Sequence, residues 1–190
     1  MKLVLGMVAG VLLVTMGAVA YVRLTGLDAT VAPGTVEAVV MGRLRQWAVP
    51  PDVLALVNPV AETPDTLRDA TVHYADHCAQ CHGADGGGET AMGRGLSPRP
   101  PDLRKPATQD QPDGALFQVI EKGIRFTGMP AFTTGTAEGQ LASWALVHLV
   151  RRMPQWTAAD GDAVRAMQPR PPAEVRREIE EEQFLAGGDR

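Results

Sequence analysis

The chain contains two cysteines, Cys78 and Cys81, and the second is followed at once by His82. No other feature restricts the possible folds as tightly. Two cysteines three positions apart cannot form a disulfide framework for 190 residues. Nor can they close a structural zinc site, which usually takes four Cys or His ligands. Cys78-Ala79-Gln80-Cys81-His82 is instead the attachment signature of a c-type haem. Each thiol adds across one haem vinyl group. The two-residue spacer, wound on a helical turn, sets the sulfurs against two vinyls of one ring. His82 then falls beneath the iron as the proximal ligand. Redox dithiols and zinc sites also use Cys-x-x-Cys, but the histidine and the export segment described next narrow the field. With no internal repeat of the motif, the sequence predicts one covalent haem c.

Aromatic residues make up only 5% of the chain, thin material for a large core, and a buried porphyrin would add apolar bulk. The net charge is -4 with no basic stripe, so nucleic acid is not expected as a partner. Near the start, an uncharged run from Leu3 to Val22 lies between Lys2 and Arg23. Twenty residues rising about 1.5 Å each cover about 30 Å, the hydrocarbon thickness of a bilayer. Lys2 favours a cytoplasmic N-terminus. Ala18-Val19-Ala20 also resembles a signal-peptide cleavage site. The run exceeds an ordinary signal core, which favours an uncleaved anchor over residues 1–23. Either reading exports everything after Arg23, to the periplasmic side of a bacterial inner membrane.

Residues 24–60 read as a membrane-proximal stalk. Thr35 could cap a short helix whose Val36, Val39, Val40, Leu44 and Trp47 share one face, stopped by Pro50-Pro51. That face is expected to pack on the haem domain, with a membrane or a partner subunit as the alternative. The haem domain is expected over 61–156. Thr63-Pro64-Asp65 is a strong helix start, and Leu67, Ala70, Thr71, Tyr74, Ala75 and Cys78 recur at helical spacing. Asp113 is expected to cap a helix ending at Gly123, and Thr136 to open a last core helix. In that helix Leu141, Trp144, Ala145, His148 and Leu149 line one face. The extension 157–190 is polar; a charged helix from Pro171-Pro172, with a narrow apolar stripe of Val175 and Ile179, is expected to be loosely held or ordered only by a partner. No alternating strand pattern occurs.

For the second axial ligand, Met129 stands 47 residues after His82 in a Gly-Met-Pro turn. Thioether sulfur is a soft donor, and His/Met ligation raises a haem potential. Met92 is a weaker candidate beside Gly93. His77 abuts Cys78 on the proximal side, and His148 on an apolar stripe suits a satisfied core position.

From about Ala61 to Trp156 the chain resembles the class I, mono-haem c-type cytochromes of the membrane-anchored bacterial kind. The residues that carry the resemblance are Cys78, Cys81, His82, the Gly128-Met129-Pro130 turn and a closing helix with an aromatic, Trp144. It implies an all-α fold of three to five helices around one haem, with helices 64–78 and 137–152 crossing. It also implies that a proline carbonyl accepts the His82 Nδ1 hydrogen, with Pro98 the first candidate and Pro101 the second. Arg94, Arg99 and Arg125 flank the haem loops, where a guanidinium could meet a propionate.

A haem iron closed by His82 and Met129 suits one-electron transfer and not catalysis. Expected partners are a quinol-oxidising complex or an exported dehydrogenase as donor, and a terminal oxidase or reductase as acceptor. Residues 3–22 would hold the lipid bilayer. The alternative is a haem enzyme or gas sensor with an open sixth position. A mainly structural subunit, with the extension as its scaffold, is the third reading.

Overall fold

The computed structural model describes residues 2–169 and 172–185. Among these residues the chain is all-helical, with no strand. Helix α1 (Lys2–Thr25) is apolar on every side and buries none of its residues in the protein. Its 24 residues are long and apolar enough to cross a membrane. A helix apolar all round needs an apolar surrounding.

Helix α2 (Thr35–Trp47) follows, with Gly34 in the cap position and Thr35 already in the first turn. The expectation that its apolar face packs on the haem domain is not met, since α2 has no buried residue. Val36 is 77% exposed and Trp47 85%. The short α3 (Pro51–Leu54) behaves differently. It lies against Gly114 so closely that a Cβ there would meet the Val53 carbonyl oxygen at 1.8 Å. Beyond it, Asn58 Nδ2 donates to the Trp144 carbonyl at 2.9 Å, and the Val60 carbonyl meets His148 Nε2 at 2.8 Å. Residues 51–60 therefore pack with the domain that the sequence pattern starts at 61. Backbone-to-glycine contact leaves no periodic signal in the sequence.

Helix α4 (Pro64–His77) begins as expected, the Thr63 hydroxyl accepting from the Thr66 N–H. It continues through Cys78 into the single turn α5 (Ala79–His82). Two further helices are α6 (Pro106–Gln109) and α7 (Asp113–Lys122). Asp113 stands in the first turn of α7, with Pro112 at the cap. Its carboxylate is taken instead by Arg151, which also donates to the Gln109 and Gln111 carbonyls. Helix α8 (Ala137–Arg152) is capped by Thr136 and supplies more of the core than any other helix: Trp144, Leu146, Val147, Leu149 and Val150. It crosses α4, where Ala70, Ala75 and Ala145 allow close approach.

Helix α9 (Ala158–Met167) lies in the polar extension that begins at 157. It is started by a reciprocal capping box between Thr157 and Asp160. It packs on α4 and buries Val164 to 1% exposure. Just ahead of it, Trp156 stands edge-on to Tyr74, with centroids 6.1 Å apart. Helix α10 (Pro172–Leu185) completes the order. The expected Pro171 start lies outside the described residues.

Candidate functional site

The motif is built where α4 runs out. The Cys78 N–H still donates to the Tyr74 carbonyl, and the Cys81 and His82 N–H groups both donate back to the Cys78 carbonyl. Positions 78, 81 and 82 therefore share one face of one turn. Both thiols are free. Burial, and secondarily Cys81, pushes the Cys78 thiol up to about 12. Burial also raises Cys81. Reactive dithiols and metal thiolates need the opposite shift. Among the described residues no group of three or more Cys, His, Asp or Glu side chains could hold a metal ion. The raised thiols do not favour dithiol exchange.

Burial lowers the pKa of His82, and the Pro101 carbonyl opposes that with a smaller upward pull. The ring is thus neutral at neutral pH, with a lone pair to give. Its Nδ1 is enclosed and completes no hydrogen bond of ordinary geometry, although the Pro101 carbonyl acts on the ring. Nδ1 is the inward nitrogen, leaving Nε2 to meet a ligand. The proline that acts on the ring is the second candidate from the sequence. Pro98, the first, is exposed on the strap.

The loop after His82 is folded back over the motif. The Gly88 N–H donates to the His82 carbonyl at 2.7 Å, and Tyr74 Oη donates to the Gly83 carbonyl at 2.7 Å. Gly88 has φ +79°, and a Cβ there would sit 2.6 Å from the Pro100 oxygen. Only glycine lets the proline strap approach this closely. Thr90 Oγ1 donates to the Cys81 carbonyl at 3.2 Å. Arg104 clamps the strap's far end, donating to Asp102 through Nε at 2.8 Å and to Asp85 through Nη1 at 2.9 Å. Its guanidinium holds the Asp102 carboxyl below the usual carboxylate range. The clamp escaped sequence reasoning; its one signal is the Pro-Asp-x-Arg spacing.

Met129 lies half-buried in a tight loop. The Ile124 N–H donates to the Met129 carbonyl at 3.0 Å, and Thr127 Oγ1 accepts from the Met129 N–H at 3.1 Å. At the base of the loop, Gly123 adopts φ +65°. The Leu96 side chain presses on Gly128, and the Phe132 ring lies 6.2 Å from His77. The loop is thus held between the strap after the motif and the end of α4. Met92 is 52% exposed. Trp144 is buried in the core, stacked on Phe117 with centroids 4.2 Å apart. Arg94, Arg99 and Arg125 are exposed. His148 is satisfied by the Val60 carbonyl, as its place on an apolar stripe suggested. A cleft between α4, α8 and α9 is lined by Leu67, Leu149, Trp156 and Val164 and by none of the motif residues.

The donor set fits haem c. Two free, protonated thiols stand one turn apart, and beside them is a neutral imidazole with its inner nitrogen enclosed against a proline carbonyl. Residues 65–149 match the family model described as cytochrome c oxidase, cbb3-type, subunit III. The span opens in the first turn of α4, ends inside α8, and contains the motif and the Met129 loop. No curated protein matches the chain.

Proposed function

The chain belongs to the c-type cytochromes, and on that premise we propose that it passes single electrons at the outer face of a bacterial cytoplasmic membrane. When bound, haem c supplies a one-electron iron couple. Cys78 and Cys81 hold it by two thioethers. His82 ligates through Nε2, with the Pro101 carbonyl orienting the ring. Met129 would give the iron its second protein ligand, a soft sulfur donor suited to electron transfer. Arg99 and Arg125 stand ready for the propionates. Trp144 backs the pocket through the core.

Helix α1 anchors the protein through residues 3–22, with the haem domain on the periplasmic side. The tether raises the effective concentration of membrane partners. A quinol-oxidising complex or exported dehydrogenase is the donor, and a terminal oxidase or reductase the acceptor. The description of the matched family, an oxidase subunit, supports a place as carrier or as fixed subunit of such a complex.

The observation that carries this reading is the enclosed Nδ1 of His82, which leaves one nitrogen directed for ligation. The test is absorption spectroscopy of the purified oxidised protein, with carbon monoxide added after reduction. A methionine–iron charge-transfer band that vanishes in Met129→Ala, and a reduced form inert to carbon monoxide, are expected. A parent protein that lacks the band and binds carbon monoxide readily would indicate an open-site haem enzyme or sensor instead.

A further inference from the structure

We infer that α2 lies in the membrane–water interface, its apolar face among lipid acyl chains, and thereby fixes the pose of the haem domain on the bilayer. This rests on the reading that α1 crosses the membrane.

The face is large and uncovered. Val36, Val39, Val40, Leu44 and Trp47 are between 49% and 85% exposed. A helix of 13 residues is marginal alone in water and needs its apolar face covered. Nothing within the described chain covers it.

Its position identifies the cover. Tyr21 Oη lies 3.5 Å from the Glu37 carboxylate. A Cβ on Gly34 would come within 3.4 Å of the same phenol oxygen. The start of α2 is therefore beside the last turns of α1. Tyr21 and Arg23 are the residue types that sit at headgroup level at the end of a membrane span. From there α2 begins at the plane where the bilayer ends. Arg43 and Arg45 add cationic groups for lipid phosphates. Arg43 falls within the apolar arc, where a long stem can lie along acyl chains while its head reaches water. Amphipathic helices that lie in an interface combine these features.

The link to the haem domain is short. Ala48, Val49 and Pro50 alone separate α2 from α3, and Pro50-Pro51 fixes two successive φ angles. Helix α3 is seated on Gly114, and Asn58 and Val60 are bonded to α8. A docked α2 therefore leaves the haem domain little freedom to swing.

The test uses the full-length haem-loaded protein in phosphatidylcholine–phosphatidylglycerol vesicles. Benzoylphenylalanine is introduced at position 40, on the apolar face, or at position 38, on the opposite side of the helix. Retention on the vesicles through an alkaline wash reports the α1 anchor. A haem spectrum matching the parent's reports correct folding. After irradiation, lipid adducts several-fold more abundant at 40 than at 38 are expected. In protein that stays on the vesicles, equal yields overturn the interfacial placement. So do adducts at 40 to the haem domain, to a second copy or to another protein, and in each case the anchor reading stands. Release by the alkaline wash overturns both readings together.

Discussion

Replacing Gly123 with alanine should loosen Met129 from the iron. Gly123 has φ +65° and ψ -168°, a backbone region occupied almost solely by glycine. Holding another residue there costs about 1–3 kcal/mol. The added Cβ would also stand 2.6 Å from the Met129 oxygen and 2.7 Å from the Ala131 nitrogen. Both are backbone atoms of the Met129 loop, so the strain is relieved by moving that loop. Taking about 2 kcal/mol as the share released on detachment, the bound-to-detached ratio of Met129 falls roughly 30-fold. Carbon monoxide can bind the reduced protein only after detachment, so its binding rate should rise by about the same factor. The assay is stopped-flow mixing of reduced Gly123→Ala with carbon monoxide, beside the oxidised-state charge-transfer band. Gly135→Ala is the control. Gly135 has φ +74° and nothing within 4 Å of its would-be Cβ, so it adds backbone strain without touching the loop. It should lower stability and leave the rate alone. A parent-like rate in Gly123→Ala, or an equal acceleration in both variants, refutes the reasoning.

Val164→Ala should destabilise the domain by about 2 kcal/mol, from two lost methyl groups and the cavity they leave; an unchanged urea midpoint would mean that α9 is not part of the core. Asp102 has a folded-state pKa held down chiefly by its hydrogen bonds from Arg104. A group so depressed adds stability that is present above its unfolded pKa and lost as the pH falls through the folded one. The parent should therefore lose more stability than Asp102→Asn on acidification from about pH 5 to pH 2; parallel curves would remove the clamp from the account.

Much of the fold could be read from local signals. Thr63-Pro64-Asp65 and Thr136 mark helix starts by their own chemistry, and α4 and α8 begin where those residues place them. In α8 the 3.6-residue period finds Trp144, Ala145 and Leu149, but Leu141 is 51% exposed, and Leu146, Val147 and Val150, off that stripe, are buried as well. Cys78, Cys81 and His82 are legible because their spacing matches one turn of helix. What escaped depends on contacts that leave no period. Helix α9 buries only Val164 and Gly161, and Gly161 faces Ala84 and Asp85 in the loop after the motif, too narrow a stripe to be recognised. Helix α3 docks by a backbone carbonyl on a glycine. Asp113 looked like a cap because its competing partner, Arg151, lies 38 residues away. The apolar face of α2 was visible, but periodicity records that a face is apolar and not what will cover it.

The seating of α9 on α4 also orders the protein's own assembly. Trp156 and Val164 close over Tyr74 and its neighbours from a point roughly 80 residues downstream of the motif. The core beside Cys78 cannot be completed until synthesis has passed that point. Afterwards Cys78 is partly enclosed and its thiolate form suppressed. The last core helix is thus the latch on the wall behind the motif.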